Sequence, residues 1–165
     1  MEPLQLISNE KGSGVVITKD FKKGDLVIVG TVKERINGPH KYTIQKNEND
    51  HIVMAEMLAL NINHGCCPNL YIQDHDASGG FSFHALRDIN AGEELCWDYD
   101  SSEMAVSNVF HCMCGAANCR GEVRGFLYIN DPKKFLLNDK QTTRYAAQLW
   151  QEMGSLYQKE KSKPA

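Results

Sequence analysis

Residues 61–69 read NINHGCCPN. A histidine, two adjacent cysteines and a proline share this one turn-like run with asparagines around them. Far downstream, residues 111–121 read HCMCGAANCRG, with Cys112, Cys114 and Cys119 spaced C-x-C-x4-C. Three thiolates on so short a loop can reach one tetrahedral ion, and thiolate suits zinc. A closed structural site wants a fourth ligand, and only Cys66, Cys67 and Cys96 remain. Cys66 or Cys67 is the natural choice, because a tight turn ending in Pro68 can present a thiol outward. Such a ligand would tie the 61–69 run to the downstream loop. A lone cysteine is usually an unliganded core residue, but three among glycines over eight residues read as a metal site. Cys67 and Cys96 are then expected as ordinary buried thiols.

The composition fits one globular domain. The chain has 165 residues, 42% hydrophobic and 24% charged, with a net charge of −3. That length can bury a real core, and that charge gives no basic surface for phosphate contacts, so direct nucleic-acid binding is not expected. No apolar run approaches the ~18 residues of a membrane helix. MEPLQLISNE at the start lacks the basic-then-apolar pattern of a secretory signal. The expectation is therefore an intracellular protein, in nucleus or cytoplasm, whose six cysteines stay reduced and available to a metal.

The body reads as short strands with tight turns, hence mostly β. SGVVITKDFKKGDLVIVGTV predicts two strands around a KKGD hairpin. KYTIQ and HIVMA predict two more across KNEND. LYIQDHDASGGFSFHAL predicts a hairpin whose loop is 76–80, and ELCWDY is a further short apolar segment. The end differs. Tyr145, Leu149, Met153 and Leu156 recur at helical spacing, with Trp150 and Tyr157 beside them. They predict an amphipathic helix from Asp139 to about Lys159, capped by Asp139 or Thr142, docking its apolar face on the β body.

Four stretches occur in order: KGSG (11–14), NHGCCPN (63–69), GEELCWDY (92–99) and CMCGAANCRG (112–121). Together they resemble a SET-domain protein lysine methyltransferase with a cysteine-rich post-SET segment, in a minimal form without a pre-SET segment. The likeness covers about residues 10–125. It implies a fold of several small β-sheets with a knot-like C-terminal thread, a post-SET zinc loop and, at the end of this chain, the α-helix. It implies a SET core over 1–105, a post-SET segment over 106–125 and a C-terminal extension over 126–165. S-adenosylmethionine (SAM) would lie against the backbone of Lys11, Gly12, Ser13 and Gly14, the Asn63 side chain and the His64 backbone. Cys66 matches the position that completes the zinc site with Cys112, Cys114 and Cys119, and Tyr99 matches the catalytic tyrosine. His64 is read as neither base nor ligand. The partner would be a lysine-containing protein or peptide, histone tails among them. The oligomeric state is left open.

The chemistry fits those residue types. Methyl transfer from a sulfonium to an amine is an in-line displacement, and the amine must be neutral although lysine has a pKa of about 10.4 in water. A narrow apolar channel and a neighbouring sulfonium both disfavour the ammonium, so catalysis rests on alignment and desolvation. Tyr99 would orient the amine. Trp97 stands where the family has phenylalanine or tyrosine and would flank the substrate channel. Tyr42 either lines that channel or fills the core, the commoner place for an aromatic. Gly65 replaces the usual serine, Cys67 a polar residue, Cys96 a threonine, and Leu60-Asn61 the Arg-Phe that often precedes the I-N-H triplet. Two other readings compete with the protein lysine methyltransferase: a non-catalytic binding module that keeps the fold and zinc, and an enzyme acting on small amines.

Overall fold

In the computed structural model, the chain is described over residues 3–9, 12–128 and 142–161. Twelve strands, most of them short, form five small sheets among these residues. β1 (Leu4–Asn9) and β2 (Gly12–Ile17) pair antiparallel, Leu4 opposite Ile17. β3 (Leu26–Gly30) and β4 (Val32–Ile36) follow, then β5 (Thr43–Gln45) and β6 (His51–Met54). A single turn of helix, α1 (Met57–Leu60), leads into β7 (Asn63–His64). β8 (Leu70–His75) and β9 (Gly80–Ala85) form a hairpin with His75 opposite Gly80. β10 (Cys96–Trp97), β11 (Phe110–His111) and β12 (Glu122–Val123) complete the strands. The three-stranded sheets run β3-β9-β8 and β4-β6-β5.

The hydrophobic alternation explains which faces meet. Val15, Ile17, Ile52, Met54, Leu70, Ile72, Phe81, Phe83, Ile89 and Leu95 are buried in one cluster that also contains Trp97. Each sheet is too small to be stable alone, and pooling their apolar faces supplies the core that no pair could build. The parallel pairing of β7 with β10, Asn63 beside Cys96 and His64 beside Trp97, brings two motifs together that lie about thirty residues apart.

Two expected features differ from the structure. Lys22 and Asp25 do close the KKGD turn, through Asp25 N–H to the Lys22 carbonyl at 2.9 Å and Lys22 N–H to Asp25 Oδ2 at 2.8 Å. The strands on either side do not form a hairpin, however. β2 bonds β1, and β3 bonds β9. Turn chemistry is local, whereas strand partners are chosen by where the apolar faces can be covered. The C-terminal helix is present as α2 (Arg144–Lys161), but its start differs from the expected caps. Thr143 caps it, its Oγ1 accepting the Ala146 N–H at 3.4 Å and its carbonyl the Ala147 N–H at 3.0 Å. Thr142 is buried beside it, and Asp139 lies outside the described residues. The β8-β9 hairpin forms where expected, with its loop over 76–79 and Gly80 already in β9, and the β5-β6 hairpin is as expected.

α2 docks as its pattern requires. Ala146 is buried against Phe126, with Leu149, Met153 and Met104 packed around them. Arg144 reaches Asp74 and Asp76 on the β8-β9 hairpin, pinning the first turn. Removing residues 142–165 would uncover Phe126 and part of Met104. Losing that burial costs about 2–4 kcal/mol, which lowers Tm by about 5–10 °C for a domain of this size. An unchanged melt would show that the helix only rests on the body.

Candidate active site

The two motifs singled out by their cysteines converge. Sγ atoms of Cys66, Cys112, Cys114 and Cys119 all lie within 4.8 Å of one another, and Cys66 and Cys112 are 3.8 Å apart. Tetrahedral zinc with bonds of about 2.3 Å places its sulfurs about 3.8 Å apart, so the cluster fits structural zinc. Backbone N–H groups of Arg120 and Gly121 point at Cys66 and Cys119 Sγ, both at 3.4 Å, as donors to thiolates. Four such thiols do not ionise independently. Burial pushes Cys66 up to about 11, while Cys114 is drawn down to about 6 by N–H and thiol donors against the effect of its burial. One ion would hold all four as thiolates. Cys66, not Cys67, is the cysteine that joins the cluster. Cys67 is exposed and Cys96 half-buried rather than fully buried. A Cβ at Gly65 would sit 2.7 Å from Cys96 Sγ, so the glycine in place of serine makes room for the cysteine in place of threonine.

Arg120, directly after Cys119, locks this loop to the body. It makes a bidentate pair with Asp98 at 2.9 and 2.6 Å and a further bond to Asp100 at 2.7 Å. Burial raises both carboxyls, and the guanidinium opposes it. His64 sits beneath. Burial, and then Arg120, push it down to about 4, so it is neutral. Its Nδ1 accepts the Tyr99 N–H at 3.2 Å, so Nε2 carries the hydrogen, toward Cys66 Sγ at 3.3 Å. The 3.6 Å approach of Asp98 to Nδ1 is therefore no ion pair.

Two cavities meet at Tyr99. One, about 390 Å³, is lined by Asn63, His64, Glu94, Tyr99 and Phe110 together with the cysteine loop. The other, about 470 Å³, is lined by Gly12, Ser13, Tyr42, Trp97, Tyr99 and Glu103 among others. Asn63, Tyr99 and Phe110 border both. Asn63 Nδ2 donates to the Ser13 carbonyl at 2.9 Å and to Glu94 Oε1 at 3.0 Å. A Cβ at Gly14 would lie 2.6 Å from Glu94 Oε1 and 3.2 Å from Asn63 Nδ2, so the second glycine of G-x-G is what lets this network close. Lys11 lies outside the described residues. Tyr42 is not core. It is 51% exposed at the cavity wall and holds φ 68°, an unusual conformation for a bulky residue.

Tyr99 is held on all sides. Its ring packs on Trp97 (4.7 Å between centroids), His64 (5.4 Å) and Phe110 (6.2 Å). Its hydroxyl donates to the Ile62 carbonyl at 3.0 Å. Burial, with Glu103 and Tyr42 nearby, pushes it well above the usual phenol range, so it stays protonated. The Trp97 indole N–H is buried without a partner among the described residues. The sequence reading did not single out Glu94, Phe110, Arg120 or Glu103. Arg120 and Glu94 stand inside quoted motifs, whereas nothing local marks Phe110 or Glu103.

This site belongs to a known class. The SET domain family model matches residues 12–100, and the chain is a member of the SET-domain family. It is 31% identical over 130 residues to histone-lysine N-methyltransferase 2D of Homo sapiens, a match covering 68% of this chain and 2% of that protein. The structure resembles Arabidopsis thaliana SUVH6 in complex with SAM, with TM-score 0.60 and 25% identity over 74% of this chain and 33% of that one. It also resembles KRYPTONITE in complex with mCHH DNA, H3(1-15) peptide and SAH, with TM-score 0.58 and 26% identity over 72% of this chain and 29% of that one. The chain thus spans only a minor part of the relatives it matches.

Proposed function

We propose that the chain is a SAM-dependent N-methyltransferase acting on the ε-amine of lysine in a protein or peptide, with histone tails as the first substrates to try. The observation that carries this is Tyr99, half-buried where two cavities meet with its hydroxyl hydrogen already committed to the Ile62 carbonyl. An oxygen so held keeps its lone pairs for a substrate N–H, which turns the amine's own lone pair toward its target. Tyr99 therefore orients the amine and is no base. Bound SAM supplies an electrophilic methyl on a sulfonium. Gly12, Ser13 and Asn63 bind and shape its side of the site and Gly14 leaves room for the Asn63–Glu94 contact, with His64, Phe110 and Glu94 offering ring faces and a carboxylate. Lys11 belongs to the same motif. Trp97 and Tyr42 flank the lysine channel, and the aromatic walls exclude water.

Zinc on Cys66, Cys112, Cys114 and Cys119 is structural, since four thiolates leave no open position. The chain divides into a SET core (1–105), a post-SET segment (106–125) and a C-terminal extension (126–165). The SAM and SAH complexes of the structural relatives, and the H3 peptide in one of them, support this reading. Action on histones would place the protein in the nucleus, and action on other proteins in the cytoplasm as well. No helix among the described residues is long and apolar enough to cross a membrane.

The test is methyl transfer from labelled SAM to histones, a lysine peptide library and small amines. The zinc-loaded protein should label a lysine. Tyr99→Phe should bind SAM normally and lose about 10²-fold or more in rate, as when one positioned polar group is removed. Binding of SAM with no transfer to any lysine would favour a binding module, and label on small amines alone a small-molecule enzyme.

A further inference from the structure

Glu103 lies just past the turn that carries Tyr99. It is 5% exposed, yet it lines the larger cavity with Tyr42, Trp97 and Tyr99. Its Oε1 accepts the Gln45 N–H at 3.0 Å and the Ser102 hydroxyl at 2.9 Å. Among the described residues, no lysine, arginine or histidine pairs with it. A buried carboxylate without a cation is costly, and burial pushes this one up to about 7, with Asp100 adding to the effect and the two donors opposing it. Three aromatic rings and one acid lacking a cation, around a cavity, have the composition of a receptor for an organic ammonium. The strained backbone of Tyr42, which keeps one of those rings at the wall, fits a functional rather than a structural role.

We propose that Glu103 receives the substrate's ε-ammonium and takes its proton, so that a neutral amine reaches Tyr99. This rests on the methyltransferase reading. An N–H bond of the ammonium breaks, and its electron pair stays on nitrogen as the lone pair. The proton moves to a Glu103 carboxylate oxygen. An ammonium and a carboxylate become a neutral amine and a neutral acid, so the desolvation that would penalise both charges favours the transfer. The proton then leaves to water through the cavity mouth. A base poised near neutrality is well matched to this work. The titratable groups facing Glu103 are Tyr99 and Asp100 on its own turn, and His40, Lys41 and Tyr42 across the cavity.

Glu103→Gln tests this, because a glutamine oxygen accepts the same two hydrogen bonds and only the charge is lost. Transfer to a histone H3-tail peptide would be followed from pH 6 to 9. In parallel, n-butylammonium would be titrated while the Trp97 indole N–H is read by NMR, with n-butanol as the neutral control. In wild type, kcat/KM should fall below about pH 7, as Glu103 protonates. The variant should lose about 10²-fold at pH 8 and instead follow the free amine, rising steadily with pH. Its n-butylammonium affinity should drop about tenfold, with n-butanol unaffected. Equal affinities and parallel pH profiles would overturn the proposal. Ammonium binding that depends on Glu103, in a protein that methylates nothing, would support the receptor and count against the transferase reading. A measurement that needs no variant is carboxyl ¹³C titration of Glu103 in wild type. Its midpoint should move to lower pH when n-butylammonium is added, and an unmoved midpoint would also overturn the proposal.

Discussion

Stripping the metal from the four-cysteine cluster, or replacing Cys112 with serine, should abolish cofactor binding while leaving the β body folded. The asymmetry follows from where the residues lie. The main core cluster draws on β1 to β10 and the segments between them and contains none of residues 110–121. The smaller cavity, in contrast, is walled on one side by Phe110, His111, Cys112, Met113, Cys114, Gly115 and Ala116. Between Phe110 and Ala116 that loop has little to hold it besides sulfur, since its other anchors, Asn118 to the Cys66 carbonyl and Arg120 to Asp98 and Asp100, lie at its far end. Phe110, Val109 and Met113 are exposed large hydrophobics, and β11-β12 is a two-residue pair. In small zinc modules the metal contributes about 10–16 kcal/mol of folding free energy, far more than a pair of that size can supply. Chelation should therefore release one zinc per chain, keep most of the far-UV dichroism, and weaken SAM or SAH binding by about 10²-fold or more by calorimetry. Metal-free protein that binds SAH with unchanged affinity would show that the loop does not form the pocket.

The four-cysteine cluster was legible because such chemistry is encoded in spacing. C-x-C-x4-C states three of its members outright, and only the choice between Cys66 and Cys67 needed the fold. The same holds for the β8-β9 hairpin, where turn residues and flanking alternation agree. The pairing of β2 with β1 was not legible, because Leu4–Asn9 carries no clear alternation, and on its one face Leu4 is buried while Leu6 is 45% exposed. β4 was missed for a related reason. Val32–Ile36 is polar through its middle and exposed there, so it reads as a loop. Tyr42 and Glu103 show the deeper limit. An aromatic is placed inside and a glutamate outside by default, yet here the aromatic is half exposed and the glutamate buried. Both departures occur at one cavity, where local rules are expected to yield to function.

Arg120→Met should be the most damaging single change outside the zinc ligands, and its cost should grow with pH. Among the described residues, the Arg120 guanidinium is the cation that holds Asp98 and Asp100, whose side chains are 10% and 3% exposed. Removing one partner of a buried ion pair leaves its charge uncompensated and costs about 3–5 kcal/mol. Here two carboxylates are stranded, beside the four-cysteine cluster. Burial already raises both above the ordinary carboxylate value, and Arg120 works against that rise. Without it both move higher. A carboxyl whose folded pKa exceeds its unfolded one binds more protons when folded, so its contribution to stability falls as pH rises through that window. The variant should thus be least stable at pH 8 and recover toward wild type as the medium is acidified to about pH 6, with the zinc still bound. Thermal melts of both proteins at several pH values would check this. A deficit that stays constant with pH would mean that the loss is one of packing and loop anchoring alone. A deficit that grows on acidification would contradict the burial of these two carboxylates.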